Sequence, residues 1–171
     1  MGCCCSHIEG EISTSSAEMK IPLEKLYAYV RDPEAIQDWY PKGIGAEKGA
    51  IKIDDNSWIS KGSDSAALTV ITKSDATSMN FDVWVAQPTD DMKTAESVKS
   101  RAMFQMKEHV TFEKISETET RMVKTWSDFE QISMWCVPFS MIVKSNVTSG
   151  QELVKIKEVW EKRFADEKKA E

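Results

Sequence analysis

The chain begins MGCCCS, and these residues carry groups that acyltransferases modify. Removal of the initiator methionine exposes the α-amine of Gly2, and Ser6 stands where the N-myristoylation pattern M-G-x-x-x-[ST] requires a hydroxyl. The next side chains are the adjacent thiols of Cys3, Cys4 and Cys5, which a membrane-bound palmitoyltransferase can convert to thioesters. This spacing therefore predicts dual acylation, with myristate on Gly2 and palmitate on the cysteines.

Two lipid signals are expected because one myristoyl chain binds membranes only marginally, with an association constant of about 10⁴ M⁻¹. A basic patch cannot supply the second signal, since Glu9 and Glu11 follow the motif and no Lys or Arg precedes Lys20. The alternatives are a disordered tail with incidental cysteines or a soft-metal site with His7, but adjacent cysteines are poorly spaced to wrap an ion. Acylation is the preferred interpretation, and it predicts a lipid-anchored protein on the cytoplasmic face of a eukaryotic membrane.

A second candidate group is Glu108, which interrupts an apolar alternation between Met106 and Val110. A buried carboxylate needs a partner or a raised pKa. In a cavity, Glu108 could hold the polar head of a lipid-like ligand or act as an acid or base. The alternative, which we favour from sequence, is that a bulge or the sheet edge turns this side chain to solvent.

Other residues offer little catalytic chemistry. His109 falls on the opposite parity of its strand from Glu108, and His7 belongs to the tail. Cys136 lies in an apolar stretch that is typical of a packed thiol. Asp82 could face Glu108 only if one of the two left its expected face. The sequence has no glycine-rich phosphate loop, nucleophile elbow or zinc signature, so we expect no cofactor and no metal.

Composition excludes several classes of protein. The 171 residues suit one domain, and 41% hydrophobic with 29% charged residues is an ordinary globular composition. A net charge of −6 argues against a nucleic-acid partner, which requires a basic face. The longest apolar segment, residues 132–143, is shorter than the roughly 20 residues of a transmembrane helix. No secretory signal is apparent, so we expect reduced thiols and no disulfide framework.

The elements that must position these residues follow from periodicity. Alternation over residues 12–21 predicts a strand, and the helical spacing of LEKLYAYVRD predicts a helix after Pro22. Asp32 then caps a second short helix, PEAIQDWY. Short strands are predicted in AIKI, SWIS, ALTVITK, MNFDVWVA, AMFQMKEHVTF and RMVKTWSDFE.

Between these strands, residues 87–100 are expected to form a mobile loop. The chain then ends in a helix, for which Ser149 and Glu152 form a predicted capping box. Its apolar stripe consists of Leu153, Ile156, Trp160 and Phe164.

This order of elements resembles the START-like superfamily, the helix-grip fold of polyketide cyclases and lipid-transfer domains. The resemblance is carried by EMKIPLEKLYAYVRDPEAIQDWYP and SMWCVPFSMIVKSNVTSGQELVKIKEVWEKRF. It implies an α+β fold in which a curved antiparallel sheet wraps around a long C-terminal helix, with two short helices after the first strand. The predicted division is a tail at 1–7, the START-like domain at 8–168 and a short tail at 169–171.

The resemblance also implies a cavity between the sheet and the long helix. By parity, the inward side chains are Phe81, Val83, Val85, Phe104, Met106, Glu108, Val110, Phe112, Ile156, Trp160 and Phe164. These side chains could line a ligand site or could fill a core with no cavity. The nine Met and six Trp residues suit either arrangement.

Three functions remain open at this point. The leading hypothesis is a non-enzymatic, membrane-anchored domain that binds a lipid or sterol, with residues 87–100 gating entry. The second is a cyclase or hydratase type of enzyme that uses Glu108. The third is a membrane-tethered module with a filled core that recruits protein partners through its acidic surface.

Overall fold

The structure, a computed structural model, describes residues 7–37, 49–132 and 151–170. The acylation motif, the end of the predicted second helix, Cys136 and the predicted Ser149 cap lie outside the described residues. The described elements, in chain order, are β1 (His7–Met19), α1 (Leu23–Arg31), α2 (Pro33–Gln37), β2 (Ala50–Asp54), β3 (Ser57–Lys61), β4 (Ala66–Ser74), β5 (Ser78–Ala86), α3 (Ala95–Lys99), β6 (Ala102–Ser116), β7 (Glu119–Gln131) and α4 (Gln151–Ala170).

The strands form one seven-stranded sheet in the order β1-β7-β6-β5-β4-β3-β2. Every neighbouring pair is antiparallel. Strands β2 to β7 follow one another as neighbours, and β1 pairs with β7 to form the opposite edge. This sheet, together with the C-terminal helix α4, confirms the α+β prediction. β1 is longer than predicted, because pairing already begins between His7 and Glu130.

The two helices after β1 begin where the sequence predicts. The carbonyl oxygen of Pro22 accepts a hydrogen bond from the Leu26 amide at 3.0 Å, which closes the first turn of α1. Asp32 then caps α2, since its Oδ1 accepts from the Glu34 amide at 2.9 Å. Such a cap satisfies a backbone donor that has no partner inside the helix.

Residues 87–100 are not a loop throughout, because Ala95–Lys99 form α3 and the segment packs on the outer face of the sheet. The amide of Ser97 donates to Thr94 Oγ1 at 3.2 Å, and the Thr94 amide donates to Ser97 Oγ at 3.1 Å. Met92 and Val98 are fully buried in a second apolar cluster with residues of β3 and β4. These two buried side chains attach the segment to the outer face of the sheet, and gating by residues 87–100 stays a prediction.

The main core lies between the inner face of the sheet and the apolar stripe of α4. Leu153, Ile156 and Trp160 are buried there, while Phe164 is partly buried at its margin. The Trp160 indole N–H donates to the Ala35 carbonyl at 2.8 Å, which ties α4 to α2. Trp160 therefore joins the long helix to the short helices as well as to the sheet.

We predict that Trp160→Ala lowers the free energy of unfolding by about 3–5 kcal/mol, the usual effect of truncating a buried aromatic residue. Urea unfolding followed by circular dichroism measures this change. The matched control is Val154→Ala on the same helix, where the side chain is 53% exposed and the expected change is within about 0.5 kcal/mol. Equal effects of the two substitutions would contradict the packing of α4 described above.

Candidate functional site

A cavity of about 50 Å³ lies between the inner face of the sheet and α4. Five of the predicted inward residues lie on its wall: Phe81, Val83, Glu108, Ile156 and Trp160. The remaining wall residues come from the short helices and the other strands: Val30, Ile36, Trp58, Thr69, Met122, Lys124 and Trp126. The walls are mainly apolar, and two charged side chains lie among them.

The other six predicted residues share the inner side of the fold but do not line this cavity. Four of them are buried in the main core: Phe104, Met106, Val110 and Phe112. Val85 and Phe164 are partly buried against that core. Pairing explains their common face, since Phe81 lies opposite Glu108 and Val83 lies opposite Met106 in the β5–β6 ladder. Ligand contact by any of these residues stays a prediction.

Glu108 points inward, so the expectation of a solvent-exposed carboxylate is wrong. Its side chain is only 15% exposed, and Oε1 lies 3.4 Å from Nζ of Lys124, which is 4% exposed. The β6–β7 pairing does shift register between Gln105 and Lys107, but the shift precedes Glu108, which stays on the inner face. Burial of a carboxylate costs desolvation free energy, and the attraction to the Lys124 ammonium offsets this cost.

Lys124 is a site residue that the sequence analysis missed. In the stretch RMVKTW, Lys124 shares its parity with Met122 and Trp126, both of which line the cavity. In the β6–β7 ladder, Val110 lies opposite Lys124, and Glu108 lies opposite Trp126. The sequence did contain a signal. Lys124 carries the charge opposite to that of Glu108 and lies at an inward position of the next strand, two residues away from the position directly opposite Glu108.

Trp126 completes a polar corner of the cavity, by which we mean Glu108, Lys124 and Trp126. The Lys124 ammonium lies 4.7 Å from the centroid of the Trp126 ring, within the range of a cation–π contact. The Trp126 Nε1 is buried and has no hydrogen-bond acceptor among the residues that the structure describes. The corner therefore presents an unused N–H donor beside a neutralised pair of charges.

The polar residues on the outer face form a separate group. His109 is half-buried there and hydrogen-bonds through Nδ1 to Asn80 Oδ1. Asp82 lies opposite Lys107, whose Nζ is 3.0 Å from Asp128 Oδ2. Asp82 and Glu108 thus remain on opposite faces, as their parity predicts.

The carboxylate of Asp128 is stabilised in its charged form. The hydrogen bond from the Gly10 amide, followed by the bond from Lys107, lowers the pKa of Asp128 below its ordinary value. These bonds join Asp128 of β7 to β1 and to β6, so we read the group as structural support for this edge of the sheet.

Within the described ranges 7–37, 49–132 and 151–170, no three His, Cys, Asp or Glu residues are grouped so that they could hold a metal ion. Within the same ranges, no helix combines the length and hydropathy needed to cross a membrane.

No family model matches the chain, and no curated protein matches it. Several solved structures do match the chain. A START superfamily protein from Mycobacterium smegmatis superposes with a TM-score of 0.55 at 15% identity, over 90% of this chain and 97% of that one. This chain has a START-like fold.

Two further structures agree with the START-like fold. A conserved protein from Geobacillus kaustophilus gives a TM-score of 0.60 at 13% identity, covering 85% of this chain and 91% of its own. DynU16, a protein in the dynemicin biosynthetic locus, gives 0.51 at 12% identity, covering 86% of this chain and 46% of its own. At these identities the likeness establishes the fold, and function has to be argued from the cavity.

We predict that Lys124→Met lowers the free energy of unfolding by about 3–5 kcal/mol, because it leaves the Glu108 carboxylate buried without its partner. Replacing both charges, as Glu108→Met with Lys124→Met, should destabilise less than the single change. Lys107→Met is the control, since its pair with Asp128 is exposed and worth about 0–1 kcal/mol. Chemical denaturation of the four proteins tests this order, and similar losses for Lys124→Met and Lys107→Met would contradict it.

Proposed function

We propose that this protein binds an apolar molecule, such as a lipid or sterol, in the cavity between the sheet and α4. The observation that carries this proposal is a mainly apolar cavity with one polar corner. Ligand sites in proteins are typically concave and apolar, with a few polar groups that fix orientation. The START-like fold supports the same function, since the hydrophobic cavity of such a fold is enclosed between its sheet and its long helix.

The size of the cavity sets a condition on binding. Its volume of about 50 Å³ exceeds the roughly 10–15 Å³ that one water requires, yet it is too small for a sterol. A larger ligand must therefore separate the walls, and the side chains of Ile156 and Trp160 form the wall that α4 contributes. We propose that the ligand enters by displacing this helix or its side chains from the sheet.

We further propose that the protein is held on the cytoplasmic face of a membrane by myristate on Gly2 and palmitate on the adjacent cysteines. β1 begins at His7, directly after the motif. Only Ser6 separates Cys5 from His7, and a chain spans at most about 3.6 Å per residue. Acyl chains on this motif would therefore hold the sheet edge close to the lipid surface, within reach of a membrane-derived ligand.

The anchor predicts that Gly2→Ala moves the protein from membranes to the soluble fraction of eukaryotic cells. Myristoylation requires the glycine amine, and without a first membrane contact the cysteines are not palmitoylated efficiently. Fractionation and immunoblotting measure the shift, and Ser16→Ala, an exposed change in β1, is the control. Membrane binding by Gly2→Ala at the wild-type level would contradict the anchor.

Ligand binding predicts that a cavity-filling substitution removes bound lipid. Val83→Phe adds volume at the cavity wall, so protein purified from eukaryotic cells should carry several-fold less extractable apolar ligand than the wild type. Solvent extraction and lipid mass spectrometry measure the amount. The control, Val123→Phe, makes the same change on the outer parity of β7. If wild-type protein yields no ligand, the proposed binding function fails, and the protein-interaction module with a filled core becomes the better account.

A second candidate function is an enzyme of the cyclase or hydratase type. It is favoured by one observation, namely that Glu108 faces the cavity next to Lys124 and can exchange a proton with a bound molecule. In this account Glu108→Gln keeps the fold but loses at least about 10²-fold in turnover of the extracted ligand. Turnover at the wild-type rate by Glu108→Gln, measured on folded protein, would exclude this role.

A further inference from the structure

We infer that the polar corner selects apolar ligands that carry one uncharged carbonyl oxygen, such as a ketone, an aldehyde or an ester. This inference rests on the proposed ligand-binding function and specifies its ligand class. Its basis is the combination of Trp126 Nε1, which lacks an acceptor among the described residues, with the Glu108–Lys124 pair. All three residues line the same cavity, and the other wall residues are apolar except Thr69.

The indole N–H is the first reason for this selectivity. Buried hydrogen-bond donors almost always have an acceptor in folded proteins, and a donor left without one is destabilising. An indole N–H can only donate, so its complement is an acceptor oxygen. The Lys124 ammonium is also a donor only. A carbonyl oxygen accepts two hydrogen bonds and donates none, which matches this pair of groups.

Charge is the second reason. The carboxylate of Glu108 already neutralises the Lys124 ammonium at 3.4 Å. A carboxylate ligand would bring a second negative charge next to Glu108 in surroundings where charges interact strongly. The corner therefore disfavours a fatty-acid anion, although a lone buried lysine would favour one. An uncharged oxygen accepts the hydrogen bond from the Trp126 indole N–H and adds no charge next to the ion pair.

The apolar walls account for the rest of the ligand. Phe81, Met122 and Ile156 surround the space beside the polar corner, and Trp160 closes the side of α4. A hydrocarbon chain or ring attached to the carbonyl gains free energy from burial against these side chains. A water molecule could satisfy the N–H in the empty cavity, and the carbonyl oxygen would take the place of that water.

Binding of four matched probes tests the inference: 2-octanone, 2-octanol, octane and octanoate. Isothermal titration calorimetry on the full chain gives each dissociation constant. We expect 2-octanone to bind about tenfold more tightly than octane, the effect of one buried hydrogen bond. We expect 2-octanol to bind more weakly than the ketone, because its hydroxyl brings a further proton donor to a corner that already presents the donors of Trp126 and Lys124. Octanoate should bind most weakly of the three oxygen-bearing probes.

A variant and a spectroscopic readout assign the effect to Trp126. Trp126→Phe keeps an aromatic side chain but removes the N–H, so octanone and octane should then bind equally. Trp84→Phe is the matched control on the outer face, where the Trp84 ring contacts Lys99, and it should keep the tenfold preference. In wild-type protein, the indole ¹H–¹⁵N resonance that is missing from Trp126→Phe should move downfield with octanone but not with octane.

The outcomes separate this inference from the proposed function. Equal affinities for octanone and octane, or an unmoved Trp126 resonance, would overturn the carbonyl selectivity and leave apolar binding intact. Tighter binding of octanoate or 2-octanol would overturn it in favour of an acid or an alcohol. Failure of all four probes to bind would overturn both the selectivity and the proposed ligand-binding function.

Discussion

The ion pair between Glu108 and Lys124 is the constraint around which the inner face of this sheet is organised. Two opposite charges lie 3.4 Å apart with their side chains largely removed from solvent. Neither can be buried alone without a large loss of free energy. The two residues belong to neighbouring strands, so the register of β6 and β7 must keep both on the inner face. The same register then fixes Trp126, opposite Glu108, at the edge of the cavity.

The remaining elements enclose this pair. α4 covers the inner face with Ile156 and Trp160, and the Trp160 indole bonds to Ala35 of α2. α3 covers part of the outer face through Met92 and Val98. A sheet covered on one side by a long helix thus leaves a small, mainly apolar cavity between the two.

Much of this arrangement follows from the sequence. Alternation in MNFDVWVA and AMFQMKEHVTF correctly assigned Phe81, Val83 and Glu108 to one face, because side chains in a strand alternate between faces. The failures have physical causes. Glu108 was expected to turn outward because its partner was not recognised, and Lys124 lies 16 positions further along the sequence. A cross-strand pair becomes visible only when the register is known.

Two other features, α3 and the boundary between cavity wall and filled core, could not be predicted from the sequence. α3 is too short for a helical period, and its capping box uses Ser97 where Glu or Gln is the usual signal. The division between cavity wall and filled core was also not predictable. Phe81 and Phe112 share the inner side, yet only Phe81 reaches the cavity. That difference depends on where α4 and the short helices meet the sheet, which is a property of tertiary packing.

The central claim is that an apolar molecule occupies the cavity beside the polar corner. A crystal structure of the full chain, purified from eukaryotic cells without added ligand, tests this claim most directly. The account predicts continuous electron density for an apolar molecule between Trp126 and Trp160, with an oxygen within hydrogen-bond distance of the Trp126 indole N–H. A cavity that holds only water, or that is closed by the surrounding side chains, would contradict it.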